Sequence, residues 1–133
     1  MKKLYTLTIV VLLAGCSWFA PEFDNVEYKE LAELHTHAHY LQTECISGFD
    51  FDTQARLQQM KFKSATLLTY ASYLRDNEEV IEFTKIIDND INELITKANT
   101  GMSETYCELK AKQLIIKLDR ILEAIGNLQN VYL

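Results

Sequence analysis

The segment His35 to His39 carries three histidines at alternate positions, and imidazole is a ligand that suits several transition metals. On a helix, His35 and His39 are four residues apart and share a face, while His37 points elsewhere. This spacing predicts a metal site at His35 and His39, with Glu30 and Glu33 near enough in sequence to contribute. The alternative interpretation is a polar helix face that gains positive charge at mildly acid pH.

The first residues of the chain form a pattern typical of export. Lys2 and Lys3 give a basic start, and a mainly apolar run over residues 4–13 follows. A basic start, an apolar stretch of this length and small residues at a cut site make up a secretory signal peptide. The run is too short to cross a bilayer comfortably as a helix of the mature protein. We therefore expect residues 1–15 to be a signal peptide that is removed.

The apolar run closes on Leu13-Ala14-Gly15-Cys16, which resembles the lipobox of bacterial lipoproteins. The resemblance implies that diacylglycerol is attached to the sulfur of Cys16, that the chain is cut before this residue, and that the new amino group is acylated. Two acyl chains anchor a protein stably, since each buried methylene contributes about 0.8 kcal/mol. Residues 16–24 would then form a lipidated tether, and residues 25–133 a periplasmic helical domain with no cofactor besides the lipid.

The residue after the lipobox bears on which membrane the protein is anchored in. In the enterobacterial pattern an aspartate at this position retains a lipoprotein at the inner membrane, and Ser17 stands there instead. The resemblance therefore implies a lipid-anchored position at the outer membrane, facing the periplasm, rather than at the inner membrane. The alternatives are an ordinary signal peptide with a chance cysteine, or an uncleaved membrane helix that continues through Trp18 and Phe19.

The mature chain would be acidic and large enough for one domain. Removing residues 1–15 leaves 118 of the 133 residues, which suffice for a single core. Lys2 and Lys3 are removed with the signal peptide. The mature chain then has 11 basic and 19 acidic residues and a net charge of −8. An acidic balance disfavours nucleic acid as a partner and leaves contact with the membrane to the lipid.

The rest of the chain has helical periodicity in four segments. The predicted caps are Asp24 with Glu27, Asp52 or Thr53, Asp76 with Glu79, and Ser103, with Gly48 and Gly101 as helix stops. The apolar stripes are Leu31, Leu34, Ala38, Leu41 and Cys45 in the first helix; Leu57, Met60, Ser64, Leu67, Ala71 and Leu74 in the second; Val80, Phe83, Ile87, Ile91 and Leu94 in the third; Cys107, Ala111, Leu114, Leu118, Ile121, Ile125 and Leu128 in the fourth.

Four helices joined by short connections predict an all-α fold, an antiparallel up-down-up-down four-helix bundle. The alternative is three helices with one long central helix, because no glycine or proline lies within residues 49–100. The apolar stripe loses its phase at residues 75–77, and continuing it would place Glu78, Lys85 and Asp88 in the core. A turn between the second and third helices is therefore the favoured interpretation.

Lipidation of Cys16 would leave an even pair of cysteines, Cys45 and Cys107. An even pair in an exported protein predicts a disulfide, because the periplasm is oxidising. The bundle supports this pairing independently, since it brings the end of the first helix and the start of the fourth to one pole. A bridge there closes a loop of about 60 residues and contributes about 4 kcal/mol in the chain-entropy model. The alternative is two buried free thiols.

The sequence contains no motif that supports catalysis. It lacks a nucleophile elbow, a phosphate loop, a dinucleotide fingerprint and a haem-attachment motif. Bundles of this size with short loops rarely form a pocket with paired groups in tuned environments. We therefore expect no catalytic residues and no enzymatic activity. We expect the following aromatic residues in the core or in grooves: Phe62, Tyr70, Tyr73, Phe83 and Tyr106.

Two classes of function remain after these exclusions. In the first, the anchored bundle is an interaction or accessory module that engages another envelope protein through a helical groove or its acidic surface. Exclusion, assembly and lysis-type roles belong to this class. In the second, the protein is a periplasmic small-ligand or metal binder that uses His35 and His39. We favour the first class.

Overall fold

The computed structural model describes residues 23–46 and 50–132, with side chains up to Leu128. Four helices follow one another in this part: α1 (Asn25–Ile46), α2 (Phe51–Ser72), α3 (Glu78–Thr100) and α4 (Glu104–Tyr132). The described residues form no strand. The predicted all-α four-helix bundle is confirmed. The predictions for residues 1–22 and for Gly48 lie outside the described ranges.

The helices pack as a closed ring. Each helix contacts the next one along the chain, and α1 also contacts α4, while the described parts of the diagonal pairs bring no Cα atoms within 8 Å of each other. The interface of α1 with α4 is the most extensive, and that of α3 with α4 is the least. Short connections make neighbouring helices antiparallel. We call the end of the bundle that holds Cys45 and Cys107 the cysteine pole, and the opposite end the Asn77 pole.

The predicted alternative with one long central helix is wrong. Helix α2 ends at Ser72, and α3 begins only at Glu78. Between them Asp76 adopts a left-handed backbone conformation with φ 51°, which aspartate tolerates better than most residues. The turn keeps Glu78 exposed and Asp88 partly exposed, whereas a continued helix would have placed both in the core.

The core consists largely of the predicted stripes. All five stripe residues of α1 are buried, and so are most of those on the other helices. Leu74, Phe83, Ile121 and Leu128 are only partly buried, and Thr84 takes the core position beside Phe83. The Thr84 hydroxyl is satisfied there because it donates to the carbonyl of Val80 at 2.7 Å.

Two of the four predicted caps are wrong in position. Asp24 accepts hydrogen bonds from the backbone N–H groups of Val26 and Glu27, as predicted. The Ser103 hydroxyl likewise accepts from the N–H of Tyr106 at 3.1 Å. Helix α2, however, starts earlier than expected and is capped by Asp50 rather than by Asp52 or Thr53. Helix α3 follows Asn77, because the left-handed Asp76 lies in the turn before it.

The cap of α2 is well satisfied. The Asp50 carboxylate accepts from both the N–H and the hydroxyl of Thr53, at 3.0 and 3.1 Å. These hydrogen bonds hold the pKa of Asp50 below its usual value. Thr53 is fully buried, so its hydroxyl needs this partner. The start of α2 is thereby fixed at the cysteine pole.

Candidate functional site

His35 and His39 share one face of α1, with their ring centroids 4.6 Å apart in an edge-to-face arrangement. His35 points toward α4, and its Nε2 lies 2.6 Å from Oδ1 of Asp119. This contact lacks hydrogen-bond geometry, so the buried Nε2 has no hydrogen-bond partner. The contact becomes an ion pair only when the imidazole is protonated. His39 is exposed.

Glu30 and Glu33, which the spacing offered as additional ligands, are engaged elsewhere. Both carboxylates pair with Lys63 of α2. Across residues 23–46 and 50–132, no cluster of three or more histidine, cysteine, aspartate or glutamate side chains is arranged to hold a metal ion. The metal site at His35 and His39 stays a prediction from spacing.

His37 faces α2 rather than α4. Its Nδ1 lies 3.0 Å from Nη1 of Arg56. A guanidinium can only donate, so Nδ1 acts as the acceptor and the imidazole is neutral. Burial lowers the pKa of His37, and the positive charges of Arg56 and Lys63 lower it further. The contact with Arg56 and the lowered pKa therefore both favour the neutral imidazole, and His37 helps to orient Arg56.

Arg56 connects α2 to α1 near the cysteine pole. Its Nε donates to both carboxylate oxygens of Glu44 at 2.8 Å, and its Nη2 lies 2.7 Å from Oε1. The guanidinium also lies over the ring of Tyr40, 4.8 Å from its centroid. Such planar, multidentate contacts fix orientation better than a lysine could.

The cysteine pole brings together the two predicted cysteines. Cys45, in the last turn of α1, and Cys107, in the first turn of α4, have their Cα atoms 5.6 Å apart and their sulfurs within bonding distance. This separation lies within the range of disulfides. Both side chains are buried. The even pair of cysteines and the antiparallel topology, which places these two helix ends side by side, together predicted this contact.

The Asn77 pole holds a polar cluster that the sequence analysis missed. Glu27 is only 2% exposed, and its Oε1 accepts a hydrogen bond from Nδ2 of Asn77. Asn77 also donates to the carbonyl of Ala71 at 3.2 Å, and the hydroxyl of Tyr70 donates to Asp24 at 3.1 Å. Burial raises the pKa of Glu27, the hydrogen bond from Asn77 opposes this, and the charge of Asp24 adds to it.

A signal for the buried carboxyl was present in the sequence. Glu27 precedes Leu31 and Leu34 by four and seven residues, so it continues the core stripe of α1 toward the Asn77 pole. The capping-box interpretation assigned Glu27 to the helix start instead. Beside it, a cleft of about 270 Å³ is lined by Glu27, Glu79 and the apolar side chains of Val80, Ile121, Ala124, Ile125 and Leu128.

Aromatic side chains stand exposed along the outer side of α2. Phe51, Phe62 and Tyr73 are 81%, 73% and 84% exposed, and they follow one another at intervals of eleven residues. Eleven residues make slightly more than three full turns of an α-helix, so the three rings project from one side. The expectation that Tyr73 lies in the core or in a groove is wrong, whereas Phe62 lines a shallow groove. Tyr106 and Phe83 pack against the core.

The outer side of α2 is also uncharged. Every exposed residue from Gln54 to Tyr73 is neutral; these are Gln54, Gln58, Gln59, Phe62, Ala65, Thr66, Thr69, Ser72 and Tyr73. Helix α2 exposes one charged residue, Asp52 in its first turn, and α1 likewise exposes one, Lys29, whereas α3 and α4 expose several, for example Lys85 and Lys112. We call the uncharged side, with Phe51, the α2 outer face.

The cations of α2 lie at the two borders of this face. Arg56 and Lys63 pair with acidic side chains of α1, while Lys61 pairs with Asp88 of α3 at 2.8 Å. The hydroxyl of Ser64, in the core, donates to the same Asp88 at 2.6 Å. The ion pairs therefore join α2 to its neighbours and leave the ridge between them free of charge.

A shallow groove flanks the α2 outer face on each side. Toward α1, Gln58, Gln59, Phe62 and Lys63 form a groove of about 510 Å³ together with His37. Toward α3, a groove of about 210 Å³ is lined by residues of α2 and α3, which are Phe51, Gln54, Ala55, Leu57, Gln58, Ile95, Ala98 and Asn99. A ridge between two grooves is a shape that another helix can pack against.

Comparison with known proteins finds no match: no family model, no curated protein and no solved structure is similar to this chain. Within residues 23–46 and 50–132, no helix combines the length and the apolar character needed to cross a membrane.

Proposed function

We propose that this protein is a lipid-anchored lipoprotein of the bacterial envelope that acts by protein contact, with the α2 outer face as its contact surface. The observation that carries the proposal is the exposure of Phe51, Phe62 and Tyr73 on an uncharged side of one helix. Aromatic residues are enriched and charged residues depleted at the centres of protein interfaces.

The lipid anchor follows from the lipobox-like segment that ends at Cys16. The tether from Cys16 to Asn25 reaches about 30 Å when fully extended, so the domain stays close to the membrane surface. Helix α1 starts at the Asn77 pole, which would therefore face the membrane. The α2 outer face then runs away from the membrane and is open to the periplasm. Exclusion, assembly and lysis-type roles all require such an accessible surface.

The lipid anchor and the membrane location are tested by metabolic labelling with a palmitate analogue in a Gram-negative host. We expect label in the wild-type protein, its loss in Cys16→Ala, and recovery of the wild type in the outer-membrane fraction of a density gradient. Unlabelled protein in the soluble fraction would refute the anchored location. Recovery in the inner-membrane fraction would refute only the outer-membrane part of the proposal.

Protein contact is tested by a photoreactive phenylalanine analogue placed at position 62 in living cells. We expect an adduct with a second polypeptide at this position and none when the same analogue replaces Gln113, an exposed residue of α4. Both positions are exposed, so neither substitution disturbs the core. Absence of adducts at positions 51, 62 and 73 would overturn the proposed contact surface.

A further inference from the structure

We propose that the cleft beside Glu27 binds a small organic cation, an ammonium group carried on a short apolar body. The cleft lies at the Asn77 pole and has a volume of about 270 Å³. We call it the Glu27 cleft; its lining residues come from α1, α3 and α4 and are Glu27, Glu79, Val80, Ile121, Ala124, Ile125 and Leu128. None of them belongs to the α2 outer face, so the site is separate from the proposed contact surface.

Glu27 is the most buried acidic residue of the described chain, and no described lysine, arginine or histidine pairs with it. The other acidic residues that are at least partly buried within the helices all have a basic partner: Glu30 and Glu33 pair with Lys63, Glu44 with Arg56, Asp88 with Lys61 and Asp90 with Lys117. An acidic side chain is seldom fully buried without such a partner. The bundle thus holds one buried carboxyl for which its described residues supply no cation.

One oxygen of this carboxyl has an acceptor position to spare. The neutral amide of Asn77 donates to Oε1 of Glu27. Among the described residues none donates to Oε2, although Glu27 lines the cleft. An ionised carboxylate accepts hydrogen bonds at both oxygens. A ligand in the cleft can therefore donate to Glu27 without displacing Asn77.

The surroundings of Glu27 favour a cation as this ligand. Burial raises the pKa of the carboxyl, the hydrogen bond from Asn77 opposes the rise, and the negative charge of Asp24 adds to it. Glu79 lines the same cleft, and no basic residue is among the lining residues. An ammonium group would bring positive charge and N–H donors to these two carboxyls. An anion would instead meet two groups of its own sign.

The cleft opens where α3 and α4 are least tied together. Lys110 of α4 pairs with Glu93 of α3 at 2.9 Å, and Lys117 pairs with Asp90. From these pairs toward the Asn77 pole, no hydrogen bond or ion pair joins the described side chains of α3 and α4. The two helices also share the least extensive interface of the ring. Space for an apolar body is therefore left between them, next to Glu27.

The walls of the Glu27 cleft specify the rest of the ligand. On the sides of α3 and α4 they are apolar and consist of Val80, Ile121, Ala124, Ile125 and Leu128. Ligand sites typically combine such walls with a few polar groups that fix orientation. The volume of about 270 Å³ lies just below the roughly 300–1,000 Å³ of pockets for drug-sized ligands. The ligand is therefore small, with a short alkyl chain or a single ring.

The test titrates hexylammonium into the secreted Cys16→Ser form and follows the isoleucine methyl groups by NMR. This form avoids detergent, which would itself take up the alkyl chain. We expect the resonances of Ile121 and Ile125 to shift, because both residues line the cleft. 1-Hexanol has the same length without the charge and should bind about tenfold more weakly, and hexanoate more weakly still. Absence of shifts at Ile121 and Ile125 with hexylammonium would overturn the proposal.

The role of the buried carboxyl is tested by Glu27→Gln, which removes the charge and keeps the size and the acceptor for Asn77. The affinity for hexylammonium should fall by about tenfold or more, since a buried charge pair is lost, while the affinity for 1-hexanol should stay the same. The matched control is Glu82→Gln, the same change at an exposed position of α3, which should bind like the parent. Equal affinity of the parent and Glu27→Gln for hexylammonium would refute cation binding at Glu27.

Binding should also strengthen as the pH rises, because the ammonium group prefers the ionised form of Glu27. The titratable groups around Glu27 are Asp24 before α1, Tyr70 on α2 and Glu79 on α3, and α4 contributes only apolar residues to the cleft. Burial raises the pKa of Tyr70, and its hydrogen bond to Asp24 raises it further, so its hydroxyl stays neutral. Between pH 5 and 8 the affinity should increase in the parent and change little in Glu27→Gln. The same increase in both would exclude Glu27 as the binding group.

The location of the site is tested by Ala124→Phe, which fills the cleft from an exposed position of α4. We expect this variant to lose binding of both hexylammonium and 1-hexanol. Ala65→Phe, the same change at an exposed position of α2, should bind like the parent. Urea midpoints close to that of the parent would show that both variants are folded. Undiminished binding of hexylammonium by folded Ala124→Phe would place the ligand outside the cleft and overturn the proposal.

Discussion

The two ends of the bundle are closed by different kinds of contact. At the cysteine pole two apolar thiol side chains, Cys45 and Cys107, lie within bonding distance across α1 and α4. At the Asn77 pole a buried carboxyl, Glu27, is held by the amide of Asn77, which also binds the end of α2. A covalent bridge acts mainly on the unfolded chain, whereas a buried polar cluster acts through desolvation and hydrogen bonding in the folded one.

The two ends therefore respond to different solution conditions. The bridge at the cysteine pole depends on the redox environment and does not itself titrate. The Asn77 pole depends on protonation, because burial raises the pKa of Glu27. Substitutions of the cysteines at one end, and of Asn77 or Glu27 at the other, therefore test this difference between the two ends.

The largest effect is expected at the cysteine pole. Replacing Cys45 and Cys107 together by alanine in the secreted Cys16→Ser form should lower the free energy of unfolding by about 4 kcal/mol, because the bridge closes a loop with a sequence separation of 62 residues. Urea denaturation measures the loss. Reductant should lower the midpoint of the parent and leave the double variant unchanged. Equal midpoints for the parent with and without reductant would contradict the bridge, as would two free thiols in a non-reducing peptide map.

A smaller effect is expected from Asn77→Ala. This change removes the donor to Glu27 and to the carbonyl of Ala71, and leaves a buried carboxyl without its partner. The expected loss is about 1–3 kcal/mol in the same urea experiment. Asn89→Ala, at an exposed position of α3, should stay within about 0.5 kcal/mol of the parent. Equal effects of the two alanine variants would show that the polar cluster contributes nothing.

The pH response of Glu27 has a definite sign. A carboxyl with a pKa raised in the folded state binds more protons there than in the unfolded chain. Its contribution to stability is therefore fully present below the ordinary value near 4.5 and is lost as the pH rises through the raised folded value. Glu27→Gln should remove this decline and raise stability at neutral pH, since glutamine accepts the same hydrogen bond from Asn77.

The measurement is the urea midpoint of parent and variant between pH 4.5 and 7.5. Glu82→Gln, at an exposed position of α3, serves as the matched control and should keep the parental pH dependence. If the stability of Glu27→Gln declined by the same amount as the pH rises, groups other than Glu27 would be responsible for the decline. We expect the gain at neutral pH to be smaller than the loss in Asn77→Ala, because no partner is removed.

The smallest effect concerns a polar contact near the cysteine pole. Arg56→Lys loses the bidentate contact with Glu44 and the hydrogen bond to His37, but both side chains of the ion pair are partly exposed. The expected loss is at most about 1 kcal/mol. Lys85→Gln, which removes an exposed pair within α3, should have no measurable effect. A loss as large as that of Asn77→Ala would show that the cysteine pole also depends on a polar cluster.

Much of the fold could be predicted from the sequence because its evidence is periodic. The stripe from Leu31 to Cys45 and its counterparts repeat every three or four residues, and each repeat points to the same face. The pairing of Cys45 with Cys107 followed from topology and residue type together. These inferences need only local spacing and the antiparallel rule.

The remainder depended on contacts between distant segments. Glu27 bonds to Asn77, fifty residues away, and no local pattern specifies that a charged residue will continue a core stripe. Several polar residues near the start of α2 could cap it. The local sequence does not specify that Asp50 is the cap rather than Asp52 or Thr53. The α2 outer face was missed because Phe62 and Tyr73 were expected to be covered, and exposure is a property of the packed bundle.

The α2 outer face also raises a question of specificity that the poles do not. A face of mostly uncharged residues has little electrostatic means to reject other neutral helices, so selection depends on shape. Phe51, Phe62 and Tyr73 are its large exposed side chains. Their spacing is the feature that another helix would have to match.

The broad interface between α1 and α4 has a consequence for the order of folding. The two helices that share it are the first and the last of the described chain, with α1 ending at Ile46 and α4 beginning at Glu104. The chain is synthesised from its amino end. Helix α1 is therefore complete well before α4, the helix with which it shares its largest interface. Contacts of such high sequence separation slow folding relative to bundles that close through adjacent helices. The part of α1 that packs on α4 therefore has no partner until the last helix of the described chain has been synthesised.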